Sequence, residues 1–259
     1  MRYRAWPALA VFSALLIAAA CSSAKPKAPA DAPEFNPNDP LAATMLMQQG
    51  QALQGEGRFD DAIAKYRTAL TLQPSNPTIH NLLGVAELQR GDPRKAIEHL
   101  TRALQLAPSY SDARNNRGAA YLQLDQLDQA ESDFLAVLTD RTYANRPGVF
   151  FNLGVVYLRR GDLARAEENL RKAAVPSGPA EAFLMLAQVE EKLGKIDSAE
   201  IALRAAQTRD PDQPRVLLAL AQFLDRQRGG RGAEELYRRI VSIAPDTPEA
   251  AAARERLRR

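Results

Sequence analysis

Pro77–Tyr110 reads PTIHNLLGVAELQRGDPRKAIEHLTRALQLAPSY, and this stretch decides the fold. Helical patterning runs on both sides of Gly91-Asp92-Pro93, so the segment is two helices joined by a tight turn. Its two small residues, Gly84 and Ala96, recur along the chain. The first of each pair is Gly50, Gly84, Gly118, Gly154, Ala187 and Ala221. The second, twelve residues on, is Ala62, Ala96, Ala130, Ala166, Ala199 and Ala233. Successive pairs are 34, 34, 36, 33 and 34 residues apart.

Two antiparallel helices touch closely only where a side chain is nearly absent, and these positions supply that gap. A third small position is Ala69, Ala103, Ala173 and Ala206, with larger Val137 and Ile240 in the third and sixth units. Apolar knobs surround them: Leu83, Tyr121, Leu153, Tyr157, Leu186 and Leu220 on first helices, and Tyr66, Leu100, Phe134, Leu170, Leu203 and Tyr237 on second helices. Glycines at Gly91, Gly161, Gly194 and Gly229-Gly230 stop first helices, because glycine enters a left-handed cap without steric cost. Pro74, Pro108, Pro211 and Pro245 end second helices.

This period and pattern resemble tetratricopeptide repeats (TPRs). The predicted fold is all-α: a right-handed superhelical solenoid of six TPR units at 43–76, 77–110, 111–144, 147–179, 180–213 and 214–247, within 41–247. One unit cannot bury both faces, so neighbours stack. Residues 248–259, with AAAARERLRR, read as a helix whose alanines cover the open end of the sixth unit and whose arginines face water.

The beginning of the chain differs from the rest. Residues 1–20 have a cationic start, Arg2 and Arg4, an apolar stretch from Ala8 to Ala20, and then Cys21, the sole cysteine. This is a secretory signal peptide, too short to span a bilayer well. Leu16-Ile17-Ala18-Ala19-Ala20-Cys21 resembles a bacterial lipobox, with Ala18 where that pattern usually has Leu. The alternative is a plain signal peptide cut at an alanine-rich site. The resemblance implies a diacylglycerol on the Cys21 thiol and an acyl chain on its amine, with no other cofactor. At about 0.8 kcal/mol per buried CH₂, three chains make attachment effectively permanent. Ser22, not Asp, follows the cysteine; by the same resemblance, this implies the inner leaflet of the outer membrane, facing the periplasm. Residues 21–40 carry five prolines and form a tether. At about 3.1 Å per residue it reaches up to about 60 Å.

With 259 residues, 46% hydrophobic and 25% charged, the chain is otherwise ordinary for a soluble protein. Its net charge of +3 falls to +1 without Arg2 and Arg4, and no basic face suggests nucleic acid. Two histidines, His80 and His99, and one cysteine cannot build a zinc site. No nucleophile elbow, Walker loop or H-E-x-x-H is present, so the expectation is a binding protein, not an enzyme. Gly55-Glu56-Gly57 falls in the turn of the first unit, and His80 reads as a core or rim residue.

In TPR arrays the first helices line the concave face. The corresponding positions give Asn81, Val85 and Leu88, then Asn115, Ala119 and Leu122, then Phe151, Val155 and Leu158. They predict an apolar strip flanked by two amides, fit to hold an extended segment or a helix. Part of the strip is alternatively core between stacked units. The fifth and sixth units offer polar Gln188, Glu191, Gln222, Asp225 and Arg226 instead. Met47 and Gln51 stand where a carboxylate clamp for chaperone tails would need Lys and Asn.

Between the third and fourth units the period stretches, and the chain reads Asp140-Arg-Thr-Tyr143-Ala-Asn-Arg146-Pro-Gly-Val149-Phe150-Phe-Asn152-Leu153-Gly154. Asp140, Tyr143 and Arg146 are expected to pin this longer loop. With Asn115-Asn116-x-Gly118, this stretch resembles the type IV pilus pilotin family (PilF/PilW/Tgl-like TPR outer-membrane lipoproteins), over essentially the whole chain. Arg117 departs from the pattern, standing where the repeat core expects an apolar residue. The resemblance implies a chaperone for the pilus secretin subunit, helping it reach the outer membrane and form its ring; the capped ends of the array predict a monomer. Contact residues would be Val85, Leu88, Leu122, Phe151, Val155 and Leu158. The alternative is a TPR adaptor lipoprotein of β-barrel assembly or peptidoglycan synthesis.

Overall fold

A computed structural model describes residues 41–230 and 232–258. The signal peptide, Cys21 and the tether read from the sequence lie outside them. The described residues fold as α-helices joined by turns, in consecutive antiparallel pairs. These are α1 (Ala42–Gly55) with α2 (Phe59–Leu72), α3 (Pro77–Arg90) with α4 (Pro93–Leu106), and α5 (Ser111–Gln123) with α6 (Leu127–Thr139). The series continues with α7 (Arg146–Arg159) and α8 (Leu163–Ala173), α9 (Ala180–Lys192) and α10 (Ile196–Arg209), and α11 (Pro214–Arg228) and α12 (Ala233–Ile243). A last helix, α13 (Pro248–Leu257), packs on α12 and α11 with Ala250 and Ala253 buried. No described helix is long and apolar enough to cross a membrane.

The small residues explain how closely each pair packs. A Cβ on Gly118 would lie 2.7 Å from Phe134, and one on Gly154 would lie 2.6 Å from Leu170. Gly50 and Gly84 face Tyr66 and Leu100 in the same way, each partner standing sixteen residues on. The ring or branched chain of the second helix thus fills the place of the missing side chain.

Helix ends follow from local chemistry. Asn76, Asp92, Asn145, Asp162 and Thr247 accept hydrogen bonds from backbone amides of the first turns they precede. Turns inside the pairs need a left-handed residue seven places after the first small one: Gly57, Gly91, Gly161 and Gly194 provide it. In the third unit Asp125 takes this role at φ 57°, being among the few residue types that tolerate it.

Successive first helices also touch one another, as α1 does α3, α3 does α5, α5 does α7 and α11 does α13. Second helices show no comparable approach. The first helices therefore occupy the inner side of the curve.

Arg117 is the one expected core position filled by a charge. Its guanidinium donates two hydrogen bonds to Asp133 of α6, Nε to Oδ2 at 2.8 Å and Nη2 to Oδ1 at 2.7 Å, and lies 5.8 Å from the Tyr121 ring centre. Asp133 is buried. This fork holds the arginine charged, raising its pKa, and replaces an apolar contact with a paired one.

Candidate partner-binding groove

The inner face of α3, α5 and α7 carries the residues that the sequence marks for a partner, but it does not expose them equally. Val85 and Leu88 of α3 and Phe151 and Leu158 of α7 are half-buried. Leu122 and Val155 are not open: they are 8% and 5% exposed and belong to the core. The expected continuous strip is therefore two apolar patches. Both join the same buried cluster, where α5 and α7 approach each other.

The two amides also differ from a free flank. Asn81 is buried, and its Oδ1 accepts a hydrogen bond from Asn116 Nδ2 at 3.0 Å, linking α3 to α5. Asn115, by contrast, keeps a buried Oδ1 that accepts no hydrogen bond from the protein. Arg159 links the next pair of units, α7 to α5, donating to the Leu122 carbonyl at 2.7 Å beside Asp125. It adds a second donor to a carbonyl that already accepts from the Asp125 amide at 3.2 Å.

Past α7 the inner face closes on itself. Arg226 of α11 donates Nε and Nη2 to the Glu191 carboxylate of α9 at 3.1 and 3.0 Å, and Gln227 Nε2 donates to it at 3.0 Å. Burial opposes ionisation of Glu191, but Arg226 and Gln227 outweigh it and hold its pKa below the usual carboxylate range. Glu191 and Arg226 of the polar stretch are thus paired across units, and Asp225 accepts from the Tyr237 hydroxyl at 2.6 Å.

The irregular junction is a staple. Arg146 Nη1 donates to the carbonyls of Leu138 and Asp140, both at 3.0 Å. Asp140 accepts from Ser111 Oγ at 2.8 Å and from the Thr142 amide and hydroxyl at 3.0 and 2.7 Å, and these bonds lower its pKa. Burial pushes the Tyr143 hydroxyl up to about 12, with Asp112 adding to the effect. Every part of the motif thus works on the loop itself.

His80 is buried, its ring 5.9 Å from that of His99. Burial lowers both pKa values, and the two rings further disfavour protonating His99. No group of three metal-ligating side chains occurs among the described residues.

A tetratricopeptide repeat model matches residues 47–111 and 115–182, together more than half of the chain, and two further models of that description match 87–138 and 180–223. The chain belongs to the tetratricopeptide repeat family. Among TPR relatives, type IV pilus assembly protein PilF of Pseudomonas aeruginosa is 28% identical over 132 residues, 51% of this chain and 52% of that protein. Tetratricopeptide repeat protein 8 of Caenorhabditis elegans is 25% identical over 162 residues, 62% of this chain and 32% of that one. The chain thus spans about half of the length of PilF and a third of the nematode protein.

The TPR fold is shared over more of its length. The crystal structure of PilW, described as a widely conserved type IV pilus biogenesis factor, superposes with a TM-score of 0.71 at 20% identity, covering 81% of this chain and 97% of PilW. The structure of Pseudomonas aeruginosa PilF gives 0.69 at 21% identity, covering 83% and 97%. These relatives support kinship with the PilF/PilW group.

Proposed function

We propose that this protein is a pilotin: a lipid-anchored assembly chaperone that binds the type IV pilus secretin and promotes its localisation to the outer membrane and its multimerisation. The observation that carries the reading is the inner face of α3–α7, where Val85, Leu88, Phe151 and Leu158 stay half-buried. Apolar side chains left partly in water gain from being covered, at roughly 25 cal/mol per Å² removed from solvent. A secretin segment laid there is shielded until the ring forms. PilF and PilW, named for type IV pilus assembly and biogenesis, add support from kinship.

In this reading Cys21 carries the acyl chains, the proline-rich tether gives the array reach, and the periplasmic side of the outer membrane is its place of work. The repeats supply grip and no chemistry. A single array suffices, because α13 covers the last unit with Ala250 and Ala253.

Deleting the gene and restoring variants tests the reading, with heat-stable secretin multimers as the readout. Wild type restores multimers; Phe151→Asp with Leu158→Asp does not, although the protein accumulates and folds. Cys21→Ser yields multimers away from the outer membrane or none. A deletion strain with normal multimers and surface pili would remove the proposal. Co-purification with a β-barrel insertion protein or a murein synthase in place of the secretin would transfer the groove to that machine.

A further inference from the structure

On the side away from the first-helix groove, α8, α9 and α10 enclose a cavity of about 330 Å³. Its apolar wall is Phe183 and Leu186 of α9 with Ile201 and Ala202 of α10. Ile201 is 69% exposed, so the mouth of the cavity is apolar as well as its floor. Such a residue at a rim gains from contact with a partner more than an isolated surface apolar group does.

The polar side of the same cavity is Arg171 and Glu190. Glu190 is 2% exposed, and its Oε1 accepts from Arg171 Nη2 at 2.8 Å. Its Oε2 is buried too and accepts no hydrogen bond from the protein. A buried carboxylate oxygen of this kind calls for a donor. The charges around it already balance: Arg171 also reaches Glu167 at 2.5 Å, and Lys195 Nζ donates to Glu167 at 2.8 and 2.6 Å. Two acids face two bases, so a neutral donor fits and a further cation adds unmatched charge.

Size and shape narrow the donor further. The volume stands at the lower end for ligand sites, which suits one large side chain. The Arg171 guanidinium is half-exposed and planar, and such a group stacks on an aromatic face, best on an indole. We propose that this cavity receives a tryptophan side chain of a second polypeptide, its indole N–H donating to Glu190 Oε2 and its ring lying against Phe183, Leu186 and Ile201. The site is independent of the inner groove, so the array grips partners on two sides.

The test is a titration of detergent-solubilised full-length protein, isotope-labelled at Ile and Ala methyls, with N-acetyl-tryptophanamide. Saturable shifts at Ile201 and Ala202 are expected. The N1-methyl analogue, which keeps the ring and loses the donor, should bind roughly threefold to tenfold more weakly, the factor one hydrogen bond carries. Ile201→Asp should abolish the shifts while leaving the thermal midpoint unchanged, since its side chain is in water. Absence of saturable shifts at these methyls, equal binding of the two probes, or shifts confined to the α3–α7 groove would each overturn the proposal.

Discussion

The first four helix pairs close on Gly50, Gly84, Gly118 and Gly154, and the last two close on Ala187 and Ala221. In the glycine half the partner side chain occupies the space of a Cβ, so second helices come in with Tyr66, Leu100, Phe134 or Leu170 wedged against bare backbone. In the alanine half a methyl is already accommodated. The inner faces divide at the same place: α3–α7 present half-buried apolar patches, whereas α9 and α11 tie themselves together through Glu191, Arg226 and Gln227. One repeat pattern therefore serves two ends. The glycine half leaves apolar side chains half-buried on its inner face, and the alanine half joins its units there through a carboxylate and a guanidinium.

Four changes break or sharpen this contrast, and the largest effect belongs to the glycine half. Arg117→Ala leaves the buried Asp133 carboxylate only the longer Arg114 contact at 3.9 Å, and urea unfolding should show a loss of about 3 kcal/mol. The double change Arg117→Leu with Asp133→Leu removes both charges together, and its stability should return to near wild type. A double variant as unstable as the single one would show that packing, not charge pairing, is what Arg117 contributes.

Exchanging the small residues comes next. In an open helix Gly→Ala stabilises by about 1 kcal/mol. Gly118→Ala should instead destabilise by about 1–3 kcal/mol, because its Cβ enters the Phe134 ring. The reverse exchange in the alanine half, Ala187→Gly, should cost about 1 kcal/mol through helix propensity alone. Opposite signs relative to expectation in an exposed helix, read from denaturant midpoints, are the signature of the two kinds of closure.

Mild acid, above the carboxylate range, should act on one half only. His80 and His99, the two histidines of the chain, both have lowered pKa values, caused first by burial, with Arg102 and Arg67 contributing and Glu98 opposing at His99. The unfolded chain then binds more protons than the folded one below about pH 6.5, so stability is full above that value and declines as pH falls below it. Hydrogen exchange at pH 7.5 and 5.5 should show α3 and α4 losing protection first, with α9–α12 little changed. His80→Gln combined with His99→Gln should flatten this dependence.

The smallest effect is expected in the third turn. Asp125→Gly relieves a left-handed residue and should stabilise by about 0.5–1 kcal/mol. The exposed contact it removes, Arg159 with Asp125 at 3.3 Å, contributes little. A thermal midpoint below wild type would contradict the assignment of strain at this position.

Much of this architecture was legible in the residues because its rules are local. Small residues twelve apart, a left-handed residue about seven places on and, in four units, a proline after the second helix all act within one unit. Arg117 was visible as a departure, but its partner is not, since Asp133 lies sixteen residues away on another helix. The open strip was overread at Leu122 and Val155, because their burial depends on how far α7 leans on α5. Asn81 was read as a free flank for the same reason: its partner, Asn116, belongs to the next unit. The cavity beneath Ile201 escaped notice because three helices make it and none of them signals it alone.

The central claim is that the inner face of α3–α7 grips the secretin while α9–α11 do not. Calorimetric titration of the full-length protein with the periplasmic part of the proposed partner, a type IV pilus secretin, tests it. Phe151→Asp with Leu158→Asp should weaken binding by about tenfold or more, as removing central apolar contacts does. Gln222→Ala with Asp225→Ala should bind like wild type. Equal losses in both variants, or a loss only in the second, would contradict the account.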